Sequence, residues 1–202
     1  MVEIKNATRG QAADIARLIM MAMTDDCCLH FCGKGFGLED FSKMMILLVE
    51  REDSQYSYKN TLVAADGDKV VGISVSYDGS KLHELRRPFL ELALKHIGKD
   101  HSGMDDETQA GELYLDSLAI LPEYRRQGIA SRLIRATKER AERKELPCVG
   151  LLVDKGNPDG EALYTSLGFK YVNDSIWGGH PMKHLVLLSS DMLIVHHQRP
   201  DR

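Results

Sequence analysis

Apolar positions recur along this chain with two periods, and the change from one to the other marks out its elements. Over residues 9–23 they return at helical spacing, with Ile15, Leu18 and Ile19 forming an inward stripe. Thr8 is placed to cap that helix and Gln11 to complete a capping box. A short strand over 2–4 precedes it. Residues 24–37 carry three cysteines and three glycines and read as a loop, and a second helix follows over 38–51. The runs 60–66 and 69–77 are rich in β-formers and joined by Asp66-Gly67-Asp68, which predicts an antiparallel hairpin. The pattern is helical again over 79–99. Residues 100–111 are polar and acidic and read as an exposed, mobile connection. A strand over 112–120 then leads to a long amphipathic helix over 125–144, with Ile129, Ala130, Leu133, Ile134, Thr137 and Ala141 on one side. The almost wholly apolar run 147–153 reads as a strand covered on both faces. A helix over 158–167 stopped by Gly168 and strands over 169–177 and 182–189 complete the order. That order predicts an α/β (α+β) fold, a mixed sheet flanked by helices.

Composition narrows the picture. With 202 residues, 43% of them apolar, and a formal net charge of −4, residues 1–202 have the size and balance of a single domain with its own core. The mild acidity argues against a protein that coats nucleic acid. Cys27, Cys28, Cys32 and Cys148 form neither a C-x-x-C nor a paired-knuckle pattern, so reduced thiols are expected and no metal. His30 reads as a surface or acceptor-pocket residue, Trp177 as packing a terminal strand, and His196-His197 as part of a polar tail. The start of the chain lacks a basic segment followed by an apolar one, and no apolar run is long enough to cross a bilayer. A soluble, cytoplasmic protein with no membrane partner is expected.

The chemistry concentrates in Leu118-Ala119-Ile120-Leu121-Pro122-Glu123-Tyr124-Arg125-Arg126-Gln127-Gly128-Ile129-Ala130. There an apolar strand breaks at a proline and a helix begins a few residues later. A helix start carries unpaired N–H groups and partial positive charge, and so holds phosphate wherever side chains leave room. Gly128 and Ala130 leave that room, and Arg125 and Arg126 add positive charge. The chain has neither G-x-x-x-x-G-K-[ST] nor a G-x-G-x-x-G opening a βαβ unit here, so nucleotide triphosphatase and dinucleotide readings lose their basis.

In register, Arg125, Gly128 and Ala130 match [QR]-x-x-G-x-[GA], and the segment resembles the central motif of the GNAT acetyltransferase family. Downstream, Asn157 to Phe169 is similar to the family's N-x(6)-Y-x-x-x-G-F ending, with Tyr164, Gly168 and Phe169 in place. Asn157 and Tyr164, seven apart, share a helix face and are expected to look into one cleft. The resemblance covers about 113–169. It implies a mostly antiparallel sheet of the GNAT type and acetyl-CoA as acyl donor. The backbone amides of Arg126, Gly128, Ile129 and Ala130 would grip the pyrophosphate, with Arg125 and Gln127 in the same loop and Asn157 nearby. The pantetheine arm would pair with the strand Leu118, Ala119, Ile120 through main-chain groups of Leu118 and Ile120. Residues 79–111 are extra relative to a minimal member.

By the same resemblance, the Leu118 amide would polarise the thioester carbonyl and Tyr164 would protonate the departing thiolate. The base corresponds to Tyr114 or Asp116, of which Asp116 fits better. Glu112, Tyr114 and Asp116 alternate onto one side of a regular strand, so a water relay from Glu112 or Asp116 is also open. Two functions remain: transfer of an acetyl group from acetyl-CoA directly to a primary amine, on a small molecule or a protein, and a non-catalytic acyl-CoA-binding sensor that needs neither Tyr164 nor Asp116. A homodimer through the final strands is a further expectation.

Overall fold

The computed structural model describes residues 1–189, so His196-His197 lies outside the described residues. Seven strands make one sheet: β1 (Val2–Asn6), β2 (Thr61–Asp66), β3 (Lys69–Asp78), β4 (Leu113–Ile120), β5 (Cys148–Asp154), β6 (Lys170–Trp177) and β7 (His180–Leu188). Their order is β1-β2-β3-β4-β5-β7-β6. Every neighbouring pair is antiparallel except β4 with β5. A parallel pair needs a crossover, supplied here by the helix α5 (Ile129–Arg143). The other helices are α1 (Ala12–Met23), α2 (Asp25–Phe31), α3 (Leu38–Glu50), α4 (Leu82–His96) and α6 (Pro158–Ser166).

Alternation along β4 sends its side chains to two layers. Leu113 and Leu115 pack with Ile134 and Ala141 of α5 and with Val149 and Leu151 of β5. Tyr114, between them, packs instead with Tyr77 and with Leu82 at the start of α4. The main core joins Ile15, Leu18 and Ile19 of α1 to Phe41, Met44, Met45 and Leu48 of α3, all without solvent contact, and to Val63, Ile73 and Leu133. Arg140 of α5 is buried and donates to the Asn60 carbonyl (2.9 Å) and to Asn6 Oδ1 (2.9 Å), tying α5 to β1 and the start of β2. Desolvation lowers its pKa to about 10, so it stays charged at neutral pH.

Three segments depart from the sequence expectation. The supposed loop 24–37 contains α2: Thr24 Oγ1 accepts from the Cys27 N–H (3.4 Å), and Asp25 and Asp26 lie in the first turn, where they complement the helix dipole. Its three glycines all follow the helix. The long helix begins at Ile129 rather than Arg125, because Arg126 (φ 61°) and Gly128 (φ 75°) are left-handed and Pro122–Tyr124 form a separate 3-10 turn. Residues 100–111 are not simply a solvated connection, since Glu107 within them is 4% exposed. The Thr8–Gln11 cap forms in part, with the Thr8 N–H donating to Gln11 Oε1 at 2.9 Å.

The end of β4 nearest the insertion is fixed by a buried pair. Glu112 Oε2 meets His184 Nε2 of β7 at 2.8 Å, and its Oε1 accepts from Thr108 Oγ1 at 2.6 Å. Its carboxylate crosses β5 at Gly150, where any Cβ would collide with it. Gly150→Ala is therefore expected to lower unfolding free energy by about 1–3 kcal/mol through overpacking, measurable as a lower urea midpoint at unchanged slope.

Candidate active site

β4 and β5 pair only at Leu113 with Val149 and Tyr114 with Gly150. Beyond that point the two strands separate, and the edge of β4 that faces β5 has no strand partner over 115–120. On the other edge Ser117 lies opposite Val75 and Leu115 opposite Ser76, so Asp116 is an extra residue. Such a bulge bends its strand and increases the local twist, and this one sits where β4 leaves β5. Leu118, Ala119 and Ile120 thus line an open seam of backbone, the setting that an extended chain of amide groups needs in order to add as a strand.

The seam leads to the start of α5. Gly128 is its N-cap, makes no side-chain cap, and is followed by no acidic residue in the first turn. Nothing lies within 4 Å of the place a Gly128 Cβ would occupy. Ile129 is buried and anchors the turn, whereas Arg125, Arg126, Gln127 and Gly128 are exposed. Arg125 folds back to donate Nε to the Ile120 carbonyl (3.1 Å), and Gln127 Nε2 donates to the Glu123 carbonyl (3.2 Å), so both brace the loop. The result is an uncapped helix N-terminus open to an anion. These groups fit a coenzyme A thioester, pantetheine along the seam and pyrophosphate on the amides of Gly128, Ile129 and Ala130.

Of the three candidate bases, Asp116 is the one that stands at the bulge where β4 leaves β5. Desolvation and the nearby Glu107 charge push its carboxyl up to about 7, against hydrogen bonds from Ser117 (2.7 Å) and Gln55. Asp116 is the extra residue of the bulge, and its charge acts on Tyr114 two residues before it. Glu112, four residues before Asp116, is hydrogen-bonded to both His184 and Thr108. Tyr114 is buried edge to face against Tyr77 (5.7 Å), and burial with nearby carboxylates drives its phenol well above the ordinary range, so it cannot serve as a base at neutral pH.

A cleft of about 400 Å³ opens among the end of α2, the loop after α4 and the turn between β6 and β7, lined by His30, Phe31, His101, Met104, Asp105 and Trp177 among others. Phe31 packs against His101 (5.0 Å), Trp177 (5.8 Å) and Phe89 (5.8 Å), and Phe89 against Tyr56 (6.1 Å). Tyr56 in turn lies in the field of Asp116. Trp177 therefore packs across to α2 rather than only within its own hairpin, and its Nε1 has no partner. Burial lowers the pKa of His101, whose Nε2 faces the Phe31 carbonyl at 2.8 Å. The neutral ring must carry its proton there, leaving Nδ1 as an acceptor.

The sequence model of the acetyltransferase (GNAT) family matches residues 38–169. The chain belongs to the GNAT acetyltransferase family. A solved acetyltransferase structure is 27% identical, covering 93% of this chain and 100% of its own, with a TM-score of 0.76. An N-acetyltransferase from Staphylococcus aureus Mu50 shares the fold at 22% identity, covering 92% and 100%, also with a TM-score of 0.76. The NatC complex bound to Gag peptide and CoA shares it more distantly, at 15% identity, 93% and 98% coverage and a TM-score of 0.55. No curated protein matches the sequence.

Within this GNAT fold, Tyr164 stands on α6 edge to face with Phe169 at 5.6 Å. Burial alone raises its pKa to about 12, so its hydroxyl keeps a proton to give. Asn157 is exposed, and its Oδ1 accepts from the Gly160 N–H (2.9 Å) and caps α6. None of the four cysteines is disulfide-bonded, and no group of three or more metal-ligating side chains gathers among the described residues. Among those residues no helix is long and apolar enough to cross a membrane. Gln55 and Arg86 carry no expectation from the sequence, and Glu107 only that of an acidic surface stretch, although it is buried. A signal was available for one of them, because Arg86 interrupts the buried stripe Leu82, Phe89, Ala93 of α4, and a charge on such a stripe implies a buried partner. Gly128→Glu is expected to abolish coenzyme A binding measured by calorimetry, through a left-handed backbone that disfavours side chains and a charge set against the pyrophosphate.

Proposed function

We propose that this GNAT protein transfers an acetyl group from acetyl-CoA directly to a primary amine. The observation that supports the reading most is the meeting of an unpaired β4 edge with the uncapped start of α5, beside Asp116. When bound, acetyl-CoA supplies the acetyl group as a thioester whose carbonyl carbon is open to attack. Leu118 lies on the unpaired edge and offers main-chain groups to it. Asp116, ionised, takes the proton that the amine must lose before its nitrogen can attack. Tyr164 holds a proton at Oη for the thiolate that leaves as the carbon–sulfur bond breaks. A sensor that only bound the thioester would need neither a carboxyl titrating near neutrality nor a protonated phenol, and the presence of both favours the enzyme.

The amine is proposed to enter by the cleft between α2 and the β6–β7 turn. Phe31, Trp177 and neutral His101 give it aromatic walls, and Asp100 and Asp105 outweigh the one positive charge of Lys99 in its lining. Such a lining suits an ammonium on an apolar stem. A panel of benzylamine, putrescine, an alanine-initiated peptide and a lysine-containing peptide, followed by coenzyme A release, tests the reading. Release with none of the four would remove it.

Tyr164→Phe is expected to lower kcat about tenfold or more while acetyl-CoA affinity holds, and unchanged turnover would exclude Tyr164 as the acid. For Asp116 the expected acidic limb of kcat/KM lies near pH 7, with activity rising as the carboxyl ionises. The same shift has a stability consequence. A carboxyl whose folded pKa is raised stabilises the fold while protonated, and that contribution is lost as pH rises from the ordinary aspartate range through about 7. Asp116→Asn is therefore expected to be inactive yet to melt at a higher temperature than the wild type at pH 8, and a lower melting temperature there would contradict the assignment.

A further inference from the structure

The segment 79–111, extra relative to a minimal family member, does more than cover the sheet, because it delivers two buried charges to the neighbourhood of Asp116. Arg86 of α4 is 3% exposed and Glu107 is 4% exposed. Arg86 Nη2 donates to Glu107 Oε2 and to the Asp105 carbonyl (3.0 Å), while Nη1 donates to Asp106 Oδ1 (3.0 Å). Glu107 turns its other oxygen inward. Oε1 accepts from Tyr77 Oη of β3 at 2.8 Å and from Gln55 Nε2 at 3.2 Å. Gln55, 2% exposed, also lies against the Asp116 carboxyl. The amide thus stands between two carboxyl groups.

A clamp that merely fastened the insertion would not need this arrangement. A buried ion pair adds little net stability over an apolar replacement, and this one leaves Arg86 Nε and Gln55 Oε1 buried without partners. Unpaired groups of that kind each cost free energy. Nor does Arg86 take both oxygens of Glu107 in the stronger two-pronged form; one is given to Tyr77 and Gln55, on the side of Asp116.

We propose that Glu107 is a positioning residue for acyl transfer, holding the Gln55 amide against Asp116 and setting a second negative charge beside it, so that the insertion completes the base. The proposal rests on Asp116 being that base. The electrostatic surroundings agree. The groups that act on Asp116 are Glu107, Arg86, Ser117 and Gln55. The phenols of Tyr56, Tyr77 and Tyr114, from the segment before β2, from β3 and from β4, all lie in the fields of both carboxylates. Cys27 of α2 acts on the same cluster through Tyr56. Glu107 raises the Asp116 pKa, whereas the Gln55 amide lowers it by donating to the charged form.

Opposite signs make the test specific. The full chain, labelled with ¹³C at aspartate carboxyls and assigned with Asp116→Asn, is titrated by NMR as wild type, Glu107→Gln and Gln55→Met. Glu107→Gln is expected to move the Asp116 midpoint down by about one pH unit or more, and Gln55→Met to move it up. A purely structural network would disturb both variants in the same sense, and such a result overturns the proposal. If Glu107→Gln does not fold, Gln55→Met, which leaves the Glu107–Arg86 pair in place, decides alone: an unmoved or lowered midpoint overturns it. The acidic limb of kcat/KM, read with the fastest amine of the panel, is expected to follow the midpoint. A midpoint that moves while the limb stays overturns Asp116 as the base, and the role of Glu107 with it. A midpoint that Glu107→Gln leaves in place overturns the role of Glu107 alone.

Discussion

The separation of β4 from β5 is the constraint on which the rest of the molecule depends. Two adjacent parallel strands normally satisfy each other's backbone along their whole length. Here they do so at two residues only, and the bulge at Asp116 turns the rest of β4 away. That leaves a row of main-chain groups needing a partner that the chain does not provide. Because the connection between parallel strands must cross over, α5 begins at the open end of the gap, and its unpaired amides lie where the seam ends. One backbone irregularity therefore leaves the edge of β4 unpaired and sets Asp116 beside it, and α5 starts where that edge ends.

Keeping the gap open requires support at both ends. At the closed end, Glu112 reaches across Gly150 to His184, so β4, β5 and β7 are joined by a side-chain link as well as by their ladders. On α5, Arg140 reaches backbone and side-chain oxygens of the first two strands, so the crossover helix is held to the sheet at the end away from Gly128. The two buried carboxylates near β4 have different environments and different uses. Glu112 is closed off by partners on both oxygens and braces the strand. Glu107 is shared between a guanidinium and the neighbours of Asp116, and its charge acts on that carboxyl.

The cleft beside α2 is the proposed entry for the acceptor. The sheet and α5 are the parts proposed to serve the thioester. The walls of the cleft come from a short capped helix, from the loop after α4 and from the β6–β7 turn, none of which the cofactor motif involves. The aromatic contacts from Phe31 through Phe89 to Tyr56 join those walls to the surroundings of Asp116, so substitutions in the cleft and at the base are expected to be energetically coupled.

What the sequence determined by itself was local and periodic. Apolar spacing marked the strands and most of the helices, the Asp66-Gly67-Asp68 turn marked the hairpin, and Gly128 with its neighbours marked the anion site, because each property is set within about a dozen residues. The capped start of α2 was legible as well, in Thr24-Asp25-Asp26, but was hidden by the glycines that follow it. Other features were decided only by tertiary structure. The bulge at Asp116 depends on the register of β3 against β4, which no spacing within β4 encodes. Glu112 and His184 are 72 residues apart and Gln55 and Glu107 are 52 apart, so their pairing exists only once the sheet has brought them together. A carboxyl shifted toward neutrality is a property of what surrounds it, and for Asp116 those surroundings are Gln55, Arg86, Glu107 and Ser117, drawn from four separate segments.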